Sequence, residues 1–168
     1  MNMIGTKELE TERLKLRKLR ESDAEDLFNI CGLGESLEEA QSTVTMMAQY
    51  NDDPMNYHWV LEYEGHAVGR VKAWEVNPMD DYAQLGYDTG ERYRNMGLMS
   101  EAIRAIAKYL LTEVGLNRVY CVVSEANIPS CRVCENAGMT HEGNMRRHFK
   151  YEGEYRDARI YGILANEM

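Results

Sequence analysis

Apolar and polar positions recur along this chain in two rhythms, and the rhythm switches several times. Leu14, Leu16 and Leu19, set in the basic run Arg13–Arg20, predict a first strand. Ser22-Asp-Ala-Glu25 and Ser36-Leu-Glu-Glu39 each put a hydroxyl ahead of a carboxylate three residues on, the capping-box pattern. They predict helices over 22–31 and 36–49, with Gly32 and Gly34 as stop and turn between them. Tyr57, Trp59, Leu61 and Tyr63 alternate with more polar neighbours, the period of a half-buried strand. Glu64-Gly65 reads as a turn, and 66–76 as the returning strand of a hairpin. Asn77-Pro78 breaks that pattern, and 82–89 forms the fourth strand.

The clearest helix follows. Met99, Ala102, Ile103, Ile106, Ala107 and Leu110 recur at three-four spacing, with Glu101, Arg104 and Lys108 opposite and Gly115 past the end. Residues 118–124 are apolar at both parities, which predicts a fifth strand covered on both faces. Strand, helix and strand make a βαβ crossover, normally right-handed. A short helix over 129–137 has Pro129 in its first turn and Gly138 after it. Strands over 139–149 and 155–164, joined at Glu152-Gly153, close the chain as a hairpin. The expectation is one α/β (mixed α+β) domain over 1–168, with a mixed sheet of about six or seven strands.

Composition narrows the partners. Asp and Glu number 28 against 19 Lys and Arg, a formal net charge of −9. Nucleic acid is a poor partner for that balance, since binding it needs cations that displace phosphate counterions. No run approaches the ~18 apolar residues of a membrane span. The start, Met-Asn-Met-Ile, lacks the apolar stretch of a secretory signal, so a reducing cytoplasmic setting is expected. Cys131 and Cys134 form a C-x-x-C without a second pair, so buried structural thiols are expected and no metal. The 11 Met suit a core with irregular gaps. Asp52-Asp53 and Asp80-Asp81 read as exposed turn acids, and Arg13–Arg20 as a solvated face.

Two segments could carry chemistry. Arg92-Tyr-Arg-Asn-Met-Gly-Leu-Met-Ser-Glu101 joins the fourth strand to the long helix. A Gly-containing turn feeding a helix start offers unpaired N–H groups that suit a phosphate or pyrophosphate. Gly97 allows close approach, and Arg92 and Arg94 add charge. The second segment holds Asn127, Ser130 and Gly138; singly, each is explained by helix capping. In a βαβ unit, however, both loops open at the same edge of the sheet, where ligands bind.

These motifs, in this order, resemble the GNAT superfamily of N-acetyltransferases, and within it the RimJ/RimL type. The likeness runs from Thr11-Glu-Arg-Leu-Lys-Leu-Arg17 and Ser22-Asp-Ala-Glu-Asp26, through Trp59-Val-Leu, Gly65 and Val68-Gly69, to Leu85-Gly-Tyr87. It continues in Tyr93–Ala102, in Asn127-x-x-Ser130-x-Arg132-Val-x-Glu135-x-x-Gly138-Met139, and in Gly153-x-Tyr155-x-Asp157 with Tyr161. The resemblance implies a mostly antiparallel sheet splayed between strands four and five, flanked by about four helices, with acetyl-CoA wedged in the gap. Backbone N–H groups of Met96, Gly97, Leu98, Met99, Ser100 and on to Ala102 would hold the pyrophosphate, with Arg92, Arg94, Asn95 and Arg132 close by. A backbone N–H near Tyr87 would polarise the thioester carbonyl. Asn127 would bind the pantetheine arm, and Ser130 would protonate the departing thiolate. The amine would attack directly, with no acyl-enzyme.

The chain departs from the family at Asn95 and Met99, where small residues are usual, and at Gln84, where Glu is frequent. Gln cannot take a proton, which leaves Asp88, Glu75, His141, His148 or water as base. The expected reaction is acetyl transfer to a primary amine: a protein N-terminus, a polyamine or another small amine. The alternative is a non-catalytic acyl-CoA-binding domain, which Met99 and Gln84 favour. A nucleotide module lacks G-x-x-x-x-G-K-[ST] and G-x-G-x-x-G. Edge strands of the C-terminal hairpin could pair in a homodimer.

Overall fold

Alternating burial along the strands builds one eight-stranded sheet, in the order β1-β2-β3-β4-β5-β6-β8-β7. The computed structural model describes residue 2, residues 5–151 and residues 153–168. The strands are β1 Leu9–Glu10, β2 Lys15–Arg17, β3 Tyr57–Tyr63, β4 His66–Asn77, β5 Tyr82–Thr89, β6 Arg118–Ser124, β7 Thr140–Tyr151 and β8 Glu154–Leu164. The helices are α1 Ala24–Cys31, α2 Leu37–Ala48, α3 Leu98–Tyr109 and α4 Ile128–Asn136. A π turn, Leu110–Val114, extends α3 to Gly115, which takes the left-handed conformation. The Glu152 half of the last expected turn, and Met1, Met3 and Ile4 of the start, lie outside the described residues.

Helices cover both faces of this sheet. On one, Ile103, Ile106 and Leu110 of the α3 segment pack with Trp59, Leu61, Ala73 and Leu85. On the other, Leu27 of α1 and Val44 of α2 pack on Leu19, Val60 and Ala67. Every strand pair is antiparallel except β5 with β6. That parallel ladder runs from Tyr82↔Arg118 to Leu85↔Cys121 and stops. Beyond it β5 continues to Thr89 and β6 to Ser124, so the sheet parts between the fourth and fifth expected strands.

Several expectations need correction. The sheet has eight strands rather than six or seven, because Leu9–Glu10 adds a short edge strand before Lys15–Arg17. Ser22 does not cap α1. A 3-10 turn over Glu21–Asp23 precedes the helix, and the Asp23 carboxylate accepts the Arg20 N–H at 2.7 Å. Ser36 does cap α2, through Glu39 N–H at 3.2 Å, but the Glu39 carboxylate reaches back to the N–H of Glu35. β6 is fully covered on one face only: Val119, Cys121 and Val123 are buried while their neighbours are half-buried. Nor is the basic run a solvated face. Arg17 is 6% exposed, its guanidinium held by Asp23 at 2.7 Å and by Glu62.

That cluster fixes the β2–β3 edge. Removing one partner of a buried ion pair strands the other charge without water, at about 3–5 kcal/mol. Arg17→Ala is expected to lose that much stability in urea unfolding; a loss under 1 kcal/mol would contradict the burial. His58 on β3 gives a pH test. Burial, with Lys72 and Arg70 nearby, pushes its imidazole from 6.5 down to about 4. The unfolded chain then binds the extra proton between those values, so stability is full above the upper value and falls toward the lower one. Acid is expected to cost at most about 3 kcal/mol through His58, and His58→Gln should flatten that part of the urea-midpoint profile.

Candidate active site

The parting of β5 from β6 frees one edge of β5. Gly90 N–H donates to the Val68 carbonyl of β4 at 2.9 Å. Successive amides of a strand point to opposite sides, so the Asp88 N–H also faces β4, while those of Tyr87 and Thr89 face the gap. Side chains alternate about the sheet plane in the same way, sending Tyr87 and Asp88 to opposite faces.

Tyr87 reaches across the gap to α4. Its hydroxyl donates to the Ser130 carbonyl at 2.9 Å, accepts from the Ser130 hydroxyl at 2.9 Å, and lies 3.1 Å from Cys134 Sγ. Burial and the Cys134 and Cys121 thiols hold the Tyr87 phenol well above its usual value, so it stays protonated. Asn127 caps α4 by accepting the Ser130 N–H at 3.2 Å, which leaves its side-chain NH₂ with no acceptor among the described residues. All four cysteines are free thiols, and Cys131 and Cys134 are buried, as the lone C-x-x-C suggests.

The loop into α3 presents amides. Asn95 and Gly97 both take positive φ, 61° and 77°, a conformation that Gly adopts freely and Asn tolerates. The first α3 amide to bond back is Glu101, to the Gly97 carbonyl at 3.1 Å. Among the described residues, the N–H groups from Asn95 to Ser100 therefore have no acceptor. Leu98 and Met99 are buried, and the Ser100 hydroxyl donates to the Val133 carbonyl at 3.3 Å. Met99 thus turns into the core against Gly69, so its bulk does not fill the loop. Arg92, Arg94, Asn95 and Met96 are exposed, as is Arg132 on α4. Arg94 Nε donates to the gap-facing Thr89 carbonyl at 3.3 Å.

Sequence reasoning missed the residue that braces this loop. Arg13 donates to the Met96 carbonyl at 2.9 Å and to Glu101 through Nε at 2.8 Å and Nη2 at 2.7 Å. Although partly desolvated, Glu101 is held below the usual carboxylate range by Thr11 and Arg13. The Thr11-x-Arg13 spacing was the signal, but it carries no meaning until Glu101 is placed beside it. A second omission is Ser124, at the β6 lip, whose buried hydroxyl has no partner among the described residues.

The base candidates separate. Glu75 accepts the Tyr120 hydroxyl at 3.2 Å. His141 bonds Asn144 at 2.9 Å and His148 lies edge-on to Phe149, both exposed on the C-terminal hairpin. Asp88 lines a cavity of about 220 Å³ on the α1–α2 face, with His58, Arg70, Lys72, Trp74 and Gly86. Arg70 grips it through Nη2 at 3.0 Å and Nε at 3.1 Å. No group of His, Cys, Asp or Glu among the described residues is placed to hold a metal ion, and no described helix is long and apolar enough to cross a membrane.

Known proteins share this fold. The chain is 29% identical over 170 residues to the uncharacterized N-acetyltransferase YoaA of Bacillus subtilis, covering 93% of this chain and 96% of that one. It is 26% identical over 106 residues to the spermidine N(1)-acetyltransferase of Escherichia coli, covering 63% of this chain and 57% of that one. The fold superposes on a structure of the ribosomal-protein α-N-acetyltransferase RimL in complex with coenzyme A, with TM-score 0.85, 18% identity, and 96% and 100% of the two chains covered. Residues 13–140 match the acetyltransferase (GNAT) domain model. The chain belongs to the GNAT family and is an acyltransferase of the N-acetyltransferase kind.

Proposed function

We propose that this protein moves an acetyl group from acetyl-CoA directly to a primary amine. The observation that carries the reading is the run of unbonded amides from Asn95 to Ser100, opening beside the parted strands. An anion with several acceptor oxygens is what such amides fit. Acetyl-CoA, when bound, supplies the reactive thioester.

The chain's own groups then divide the work. The loop amides, with the exposed Arg92 and Arg94, hold the diphosphate. Arg132, exposed on α4, adds a further cation. The free Asn127 NH₂ bonds an amide oxygen of the pantetheine arm. The Tyr87 N–H points where the acyl oxygen gains charge, and a fixed donor there stabilises it without reorganising. Ser130, held beside the gap by Tyr87, turns its hydroxyl proton from Tyr87 to the departing sulfur and takes a proton back from water. Asp88, ion-paired with Arg70 mainly through Oδ1, leaves its more loosely held Oδ2 to receive the amine's proton, with water as carrier.

Release of CoASH on mixing the protein with acetyl-CoA and a panel of amines and peptides tests the reaction. Tight coenzyme binding with no CoASH from any acceptor would establish the non-catalytic alternative. Gly97→Val forces a β-branched residue to positive φ and is expected to weaken CoA at least about tenfold in calorimetry, the worth of one or two amide contacts; unchanged affinity would move the diphosphate elsewhere. Ser130→Ala should lower kcat by roughly a hundredfold while leaving CoA affinity within about twofold. An undiminished kcat would remove Ser130 as the acid.

A further inference from the structure

The cavity on the α1–α2 face has a charge pattern unlike the rest of the molecule. The chain carries a formal −9, yet the charged residues lining this cavity are Arg70, Lys72 and Asp88. Asp88 is committed to Arg70, which holds it through two nitrogens. His58, another polar wall, is kept neutral by burial and by these same cations. Lys72 remains, with no ion pair among the described residues. Its ammonium lies 5.7 Å from the centre of the Trp74 ring. In register it stands between His58 on β3 and Gly86 on β5, at the middle of the row that crosses the cavity.

Gly86 is also the first β5 residue past the last paired rung, Leu85↔Cys121. The cavity therefore adjoins Tyr87, whose amide faces the gap. A Cβ on Gly86 would come within 2.2 Å of the Trp74 ring, so the indole lies against bare backbone and walls the cavity with an apolar face. Met47 adds a thioether. At about 220 Å³ the space is below the roughly 300–1,000 Å³ of sites for larger ligands.

We propose that this cavity is the acceptor subsite for a small amine that bears its own carboxylate, as an amino acid with an apolar side chain does, and that Lys72 selects it. The inference rests on the acetyl-transfer reading above and specifies its acceptor. A polyamine would bring a second ammonium toward Lys72 and Arg70, where like charge opposes it and no uncommitted carboxylate compensates. An acceptor carboxylate meets the unpaired ammonium instead, and its side chain covers Trp74.

The test uses the whole chain and a matched series: methionine, methioninamide, 3-(methylthio)propylamine and spermidine. The first three differ only in the group on the carbon that bears the amine. Methionine is expected to show a KM at least tenfold below the other three, read from CoASH release at saturating acetyl-CoA. Lys72→Met should erase that ratio and Lys72→Arg should retain it, with CoA affinity unchanged in both. Equal or lower KM for the amide, the decarboxylated amine or spermidine would overturn the proposal. If no acceptor is acetylated, the acetyl-transfer reading fails by itself, and calorimetry of the same series at saturating CoA judges the subsite. Binding of methionine that exceeds the amide tenfold and is lost in Lys72→Met would support it. Equal binding of the series, or none, would refute it.

Discussion

The site depends on one interrupted ladder. A parallel strand pair satisfies its amides only while the strands remain side by side, and β5 and β6 do so from Tyr82 to Leu85. Past that rung the gap-facing edge of β5 has no strand to bond among the described residues. Unpaired strand amides in a partly buried place are costly unless something fills them. The protein does not heal the gap with backbone. It bridges it with one side chain, Tyr87, bonded to Ser130 on α4. That bridge holds the walls at a fixed separation and leaves the amides beside it exposed to a ligand.

Two surfaces meet at this opening, and they differ in charge and in lining. The α3–α4 side presents amides and the Ser130 hydroxyl. The α1–α2 side presents cations, an indole and a neutral imidazole. Alternation along β5 makes this division possible, since Tyr87 and Asp88 are neighbours in sequence yet serve opposite faces. One strand thus presents different side chains to the two faces without mixing them.

Local pattern made most of the fold legible. The β3–β4 hairpin, β5, α3 and α4 fall within a residue or two of where periodicity, Gly and Pro place them. The errors share a cause. Arg17 looked solvated because its partners, Asp23 and Glu62, come from other elements. β6 looked doubly covered because apolar composition does not reveal that its other face is only half-buried. In the candidate site, Gly97 and Ser130 could be named from spacing and family likeness. Arg13 and Lys72 could not, since each acquires meaning only from groups that the fold brings beside it.

Arg13 has a consequence for how the molecule matures. Its backbone N–H and guanidinium clasp Glu101 across a sequence separation of 88 residues. Closing so long a loop is entropically unfavourable and comes after local turns and helices have formed. The brace on the loop into α3 is therefore expected to form late as the chain folds. Order in that loop reports that the amino-terminal segment has come home.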